Sequence, residues 1–504
     1  MLNETIKYLI SNEFLMTNAI EVKDLNYSYP AEKSFVLNNI SFNVKEGEVY
    51  GIIGPSGCGK PTLLLALSGL IPNSIKGDLS GSINILGRDN KGLSMAELSQ
   101  KIQILFQSPD SQLFALNVED EITFGLENLN LPWFEIERRL NNVLEELEIE
   151  HLRNRSIEEL SSGQKQKVAL ASILAMEPKV LLFDAPTANL DQPSIRNLIE
   201  LIKILKKKHT VLIVEHNVEL INEICDNVLL IDDGKVLIEG KIDDVFKSKE
   251  YSEVMLPPHN LKEVIGKIGK LKSESKNKTI LEIKDFNFKY TNNVKALSDI
   301  HLKIGKGDFI GIIGLNGSGK STLALNIIGI LKGSGEILLE GKNISKSDVY
   351  DRTKKIGYVF QNPNYQLFEE NLFDEISFGL KNMGLGGKEI RERVYEVLHK
   401  INLADFVEKD THSLSVGQKR RVSIASILAM KPEIIIVDEP DTGLDHKNAK
   451  ELMEYIKKLN SEGKTIILIS HSIELIAEYC NRVIGMKDGK IVDVKEVFEE
   501  YFNL

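Results

Sequence analysis

Apolar residues along this chain fall into two kinds of run that alternate. Short unbroken runs at Phe309–Ile313, 180–183, 434–437 and Thr465–Ile469 are too brief for helices and rich in β-branched or aliphatic side chains, so they predict strands buried on both faces. Between them lie stretches with apolar positions at helical spacing, among them 419–430, which predict helices. Strand and helix in alternation imply an α/β fold, a mostly parallel sheet with helices packed on it.

The pattern occurs twice. Segments 20–29 and 281–290 open the two copies as strands, Lys60 matches Lys320, Gln107 matches Gln361, and Asp184 matches Asp438. This divides the chain into a first domain at 19–241, a linker at 242–278 and a second domain at 279–504. The linker reading rests on Pro257-Pro258 and on the lysine- and serine-rich stretch 272–278.

The second copy carries phosphate-binding chemistry. Gly314-Leu315-Asn316-Gly317-Ser318-Gly319-Lys320-Ser321-Thr322 follows a strand and precedes a helix, which is the context a P-loop requires. Glycines let successive backbone N–H groups curl around phosphate oxygens and the helix N-terminus adds a positive dipole. Lys320 reaches the β and γ phosphates, and Ser321 can ligate Mg²⁺. Further on, the strand 434–437 delivers Asp438 and Glu439 at its carboxyl end, where open α/β sheets hold their ligands. Asp438 is expected on the metal side, with Glu439 orienting or deprotonating the attacking water. His471, after Thr465–Ile469, is a neutral hydrogen-bonding group for the γ phosphate or the water, and Gln361 follows a strand at 356–360. Ser415, Gly417 and Gln418 start a helix with the small, hydrogen-bonding residues suited to an anion, and Ser161, Gly163 and Gln164 do the same in the first copy.

Together these segments resemble the ATP-binding cassette family over nearly the whole chain, the most specific being the signature Leu-Ser-x-Gly-Gln at Leu414–Gln418 and Leu160–Gln164. The resemblance implies two tandem P-loop NTPase domains, ATP and Mg²⁺ as cofactors, and head-to-tail pairing of cassettes, each ATP lying between one cassette's P-loop and the other's signature. It implies that Gln107 and Gln361 are the Q-loop glutamines, with Gln361 joining Ser321 and Asp438 around the metal. His216 and His471 are then the switch histidines, Asp191 and Asp445 close the following loops, and Tyr29 and Tyr290 stack on adenine.

The first copy departs from the pattern. Its loop, Gly54-Pro55-Ser56-Gly57-Cys58-Gly59-Lys60-Pro61-Thr62, has proline where the metal-binding hydroxyl belongs, and Ala185 stands where the second copy has Glu439. Proline is tolerated in a helix's first turn, so phosphate binding survives, but two losses that damage one step imply a slow or inactive site.

Composition narrows the class. A formal net charge of -11 argues against a phosphate-backbone partner, so no nucleic acid is expected. The apolar runs fall well short of the ~20 residues of a spanning helix, and the first seventeen residues do not read as a secretion signal, which suggests a cytoplasmic protein on the inner face of the membrane. Three scattered cysteines read as free thiols. After each Q-loop glutamine comes a shared segment, Pro109–Phe114 or Pro363–Phe368, which resembles the ATPases of energy-coupling factor importers for vitamins or transition-metal ions. That resemblance implies a transmembrane coupling protein docking there and a separate membrane subunit that captures substrate. A tandem sugar- or nucleoside-importer ATPase and a ribosome-associated tandem cassette protein stay open as alternatives, although the short linker and acidic charge weigh against the latter.

Overall fold

The computed structural model describes residues 18–30, 34–55, 57–188, 190–215, 217–255, 261–271, 275–291, 294–401, 403–414, 416–441 and 446–502. The chain divides into two compact units, 1–190 with 194–258 and 259–504 with the short segment 191–193.

In the first unit the strands are β1 (Asn18–Ser28), β2 (Leu37–Lys45), β3 (Val49–Ile53), β4 (Asp78–Ile85), β5 (Arg88–Asp89), β6 (Ile102–Leu105), β7 (Val180–Asp184), β8 (Thr210–Val214), β9 (Asn227–Asp232) and β10 (Lys235–Lys241). They form a four-stranded antiparallel sheet, β2-β1-β4-β5, and a six-stranded sheet, β10-β9-β3-β8-β7-β6, whose strands are parallel except for β10. The second unit repeats this with β11 (Thr279–Lys289), β12 (Lys295–Gly305), β13 (Phe309–Ile313), β14 (Ser334–Leu339), β15 (Lys342–Asn343), β16 (Ile356–Val359), β17 (Ile434–Asp438), β18 (Thr465–Ile469), β19 (Arg482–Lys487) and β20 (Lys490–Val492). Its large sheet runs β16-β17-β18-β13-β19-β20.

Unbroken apolar runs are explained by the two cores on either side of each large sheet. Alternate residues of a strand point to opposite faces, so Phe309 and Ile313 pack among the helices while Ile310 and Ile312 pack toward the small sheet. Val49 and Ile53, against Tyr50 and Ile52, divide in the same way. Burying each such side chain contributes roughly 1.5–3 kcal/mol. That fixes β3 and β13 at the sheet centres and aims the loops after them at the carboxyl edge.

The segment 242–278, read as a linker, carries short helices. Helices Ile242–Phe246 and Lys249–Val254 bury Val245 and Tyr251 in the first unit's core, and helix Leu261–Ile268 buries Val264 and Ile268 in the second unit's core. The apolar spacing of these short helices is a weak signal beside the prolines and lysines that surround it. Pro257, Pro258 and 272–274 lie outside the described residues. Cys58, Cys225 and Cys480 are free and buried, and no described helix is long and apolar enough to cross a membrane.

Candidate functional site

The second unit's site is built at the carboxyl ends of β13, β17 and β18. After β13 the chain turns through Gly314 to Gly319 and enters helix Lys320–Ile328. A Cβ on Gly314 would lie 2.2 Å from the Met486 carbonyl, and Gly319 sits at φ 100, so neither position accepts a side chain without strain. Lys320 is buried, and its Nζ donates to Gly314 O at 2.7 Å and Leu315 O at 2.9 Å. Burial holds its pKa below the ordinary lysine value, with Glu439 and Asp438 opposing the shift.

Asp438 ends β17 and Glu439 follows in a left-handed conformation, φ 47. Asp438 Oδ2 accepts from the Tyr358 hydroxyl at 2.7 Å. Burial raises the Asp438 pKa, and hydrogen bonds from Tyr358 and Ser321 pull it back. Burial, reinforced by Asp441, raises that of Glu439 well above a normal carboxylate. Glu439 Oε2 accepts from the His471 backbone N–H at 3.1 Å. His471 Nε2 also comes within 3.1 Å of Glu439 Oε1, but burial first and Lys320 second bring the imidazole pKa down to about 3, so the pair is not ionic.

Three buried atoms in this cluster have no hydrogen-bond partner among the described residues: Asp438 Oδ1, His471 Nδ1 and Ser318 Oγ. Orphaned buried polar atoms are rare and mark a place where a ligand, ion or water completes the bonding. A lysine beneath a glycine loop, facing two buried carboxylates, fits a nucleotide phosphate with a divalent cation.

Other expected residues stand around this centre. The Tyr290 hydroxyl meets Thr322 Oγ1 at 3.0 Å, placing its partly exposed ring beside the helix that follows the loop. Asn316 is exposed, and Gly317 takes φ 79. Gln361 follows β16 with its side chain exposed; the groups bonded to the Asp438 carboxyl are Tyr358 and Ser321, not Gln361. Gly417 and Gln418 lie in the first turn of helix Val416–Ala429. Ser415 and Asp445 lie outside the described residues.

The first unit keeps the frame, with Pro61 and Ala185 where the second unit has Ser321 and Glu439. Lys60 Nζ donates to Gly54 O and Pro55 O, both at 2.7 Å, matching Lys320. Gly54, Gly57 and Gly59 all hold positive φ, and Pro61 sits in the first turn of helix Lys60–Leu67. The Tyr29 hydroxyl meets Thr62 Oγ1 at 3.1 Å. Asp184 ends β7, and burial pushes its carboxyl up to about 6, with Lys60 opposing and Glu215 adding to the rise. Ala185 keeps the left-handed bend, φ 42, and its N–H donates to Val214 O at 2.8 Å, as Glu439 N–H does to Ile469 O. Gln107 is partly buried after β6, Asp191 directly precedes helix Gln192–Leu205, and Ser56 and His216 lie outside the described residues.

Ser161 caps helix Ser162–Ala175. Its hydroxyl accepts from Gln164 N at 3.3 Å while Gln164 Oε1 accepts from Ser161 N at 3.0 Å, a reciprocal capping box. Ser161, Gly163 and Gln164 line a cavity of about 370 Å³.

Three contributors were missed from sequence. Tyr358 reads as one residue of a buried strand, Arg420 as one of several cations on a helix, and Tyr501 as part of a C-terminal amphipathic stretch. Arg420 is nonetheless buried and donates through Nη1 to the Phe360 and Gln361 carbonyls, and Tyr501 donates to Gly314 O at 3.0 Å. A charge or hydroxyl on an otherwise buried face was the available signal.

Comparison with known proteins agrees with this architecture. The ABC transporter family profile matches residues 37–188 and 297–442. Proteins named as ABC transporter ATP-binding proteins from Methanosarcina mazei, Caldanaerobacter subterraneus and Clostridium perfringens are 35%, 36% and 37% identical; the alignments cover 94%, 96% and 95% of this chain and 88%, 93% and 93% of theirs. A solved structure of cbiO1 from Clostridium perfringens, described as part of the ABC transporter complex cbiONQ, is 36% identical over 47% of this chain and 93% of its own, with a TM-score of 0.42. A chain that carries two matched copies of the domain and aligns with these relatives almost from end to end belongs to the ABC transporter family, as an ATPase.

Proposed function

We propose that this ATPase energises an importer of the energy-coupling factor type, with a hydrolytic site on the second unit and a nucleotide-holding, weakly hydrolytic site on the first. The observation that carries the hydrolytic reading is the buried cluster of Lys320, Asp438, Glu439 and His471 with its unpartnered atoms. In this reading Lys320 leaves its loop carbonyls for the β and γ phosphates, and backbone N–H groups from Gly314 to Ser321 cradle the remaining oxygens. Ser321, Asp438 and Gln361 would hold Mg²⁺, which when bound would neutralise developing phosphate charge. Glu439, whose raised pKa makes it a stronger base than an exposed carboxylate, takes the proton of the attacking water. His471 stays neutral at physiological pH and offers a hydrogen bond without bringing a second cation.

On the first unit Lys60, Gly54, Gly57, Gly59, Thr62 and Tyr29 retain a nucleotide-binding frame. Pro61 offers the metal no hydroxyl, and Ala185 offers water no base.

The membrane partner rests on an exposed feature that appears in both units. Phe114 packs edge-on against Phe124 at 4.6 Å, and Phe368 packs against Phe378 at 4.7 Å, each ring substantially exposed. A rigid aromatic pair beside a surface helix suits the apolar face of a partner's helix. Since no described helix can span the bilayer, the partner supplies the membrane anchor on the cytoplasmic side, together with the substrate-capturing subunit.

The deciding experiment replaces Glu439 by glutamine. Loss of the base is expected to lower turnover by ~10²–10⁴-fold while nucleotide remains bound. A variant that retains turnover within twofold of the parent sinks the assignment.

A further inference from the structure

One buried pair changes its chemistry between the units while keeping its bond. In the second unit, Asp441 lies in the turn after Glu439, and Ser470 sits at the end of β18 next to His471. Ser470 Oγ donates to Asp441 Oδ1 at 3.0 Å and accepts from the Ser472 N–H at 3.0 Å. The registers Asp438↔Ile469 and Asp184↔Val214 align these positions with Thr187 and Glu215 in the first unit. There Glu215 Oε1 accepts from Thr187 N at 3.1 Å and from the Thr187 hydroxyl. The acid and the hydroxyl have exchanged positions. Ser470 and Glu215 are both fully or nearly fully buried, at 0% and 2% exposure, so neither arrangement is a casual surface contact.

A third position changes with them. Burial raises the Asp441 pKa, and the Arg420 cation is among the groups that pull it back. The first unit, which has no acid at Thr187, carries Gln166 in place of Arg420, and Gln166 Nε2 donates to Pro186 O at 2.8 Å.

An acid bonded to a hydroxyl is stronger than two hydroxyls, and two facing carboxylates in a buried space repel. Either assignment of acid and hydroxyl therefore works, and what both copies keep is the pair, not either residue. We propose that this pair is a positioning latch. It ties the turn after the Asp438 strand to the loop that begins at His471, and so holds the His471 backbone N–H against Glu439 Oε2. Neither partner needs to touch the nucleotide. The proposal rests on the reading of Glu439 and His471 as reactive groups.

The test exchanges the pair within the second unit, using the full chain. S470E alone confronts Asp441 with a second carboxylate, D441T alone leaves two hydroxyls, and D441T/S470E rebuilds the first unit's version. Steady-state ATPase, binding of a fluorescent ATP analogue and thermal melting are measured for all three. Misplacing the histidine loop should cost S470E ~10²-fold in kcat with KM little changed, and the double variant should recover most of that loss. Its melting temperature should also exceed that of S470E, the coupling expected of groups in contact. A double variant no more active and no more stable than S470E overturns the latch, as does one that fails to fold. Should S470E itself fail to fold, recovery of a folded, active double variant supports the latch outright. Restored melting with kcat unaffected in every variant would instead show a purely structural pair and overturn the positioning role, while the reactive reading of Glu439 and His471 stands or falls separately on the rate of Glu439→Gln.

Discussion

Replacing Tyr358 by phenylalanine removes one hydroxyl and leaves the ring volume in place. That hydroxyl donates at 2.7 Å to Asp438, a nearly fully buried carboxylate. A hydrogen bond to a charged group is worth about 1.5–3 kcal/mol. Losing it raises the Asp438 pKa further above its already raised position. A metal at this site would need the ionised carboxylate, and ionisation is lost as pH falls through the folded pKa, so the acid limb of the ATPase pH profile should move upward. On the alkaline plateau the carboxylate is ionised in both proteins, and the rate should keep the parent's order of magnitude. Stability follows the same sign. The substitution should cost most above the folded pKa, where the charge is buried without its donor, and the penalty should shrink as pH falls and the carboxyl is protonated. The assay is steady-state ATPase across pH at saturating Mg²⁺ and ATP, with thermal melting alongside. An unmoved acid limb, or a rate depressed equally at every pH, would refute the account of Tyr358 as the donor that keeps Asp438 charged.

The two loop lysines should respond unequally although their contacts match. Lys320→Ala is expected to remove nearly all turnover and Lys60→Ala mainly to weaken nucleotide retention, as read by ATPase rate and nucleotide binding; equal rate losses would refute a division of labour between the units. Replacing Phe114 and Phe368 together by aspartate should release the protein from membranes that contain its partner while ATP binding in solution is retained, and unchanged co-sedimentation would count against docking at these rings.

The loops after β3 and β13 were readable because cradling phosphate demands glycines, a lysine and a helix start at fixed spacing. Asp438 and Glu439 were readable because an apolar strand delivers them. Pro61 and Ala185 stood out only against the second copy, since a proline or an alanine alone carries no message. Tyr358 was hidden by strand periodicity, which assigns a residue to a face without showing which group it meets there; its counterpart in the first unit is Ile104, which fits the same pattern. Arg420 was hidden because an arginine on a helix is usually solvated, and burial depends on strands distant in sequence. Segment 242–278 was read by its prolines and lysines, while Tyr251 and Ile268, which decide where it packs, are single apolar residues in short helices. Asp441 and Ser470 each read as turn residues, and only the folded chain shows that they bond.

The left-handed bend at Ala185 is kept without the side chain that uses it in the second unit. An L-residue held in that region costs roughly 1–2 kcal/mol, and a methyl side chain returns nothing for it. The bend is therefore a property of the strand end, held by the Ala185 N–H on Val214 O, and does not need the glutamate that stands at the matching position of the second unit. A carboxylate placed at this position would find the backbone already shaped to receive it, so the difference between the units here sits in side chains and not in a main chain that would have to be rebuilt.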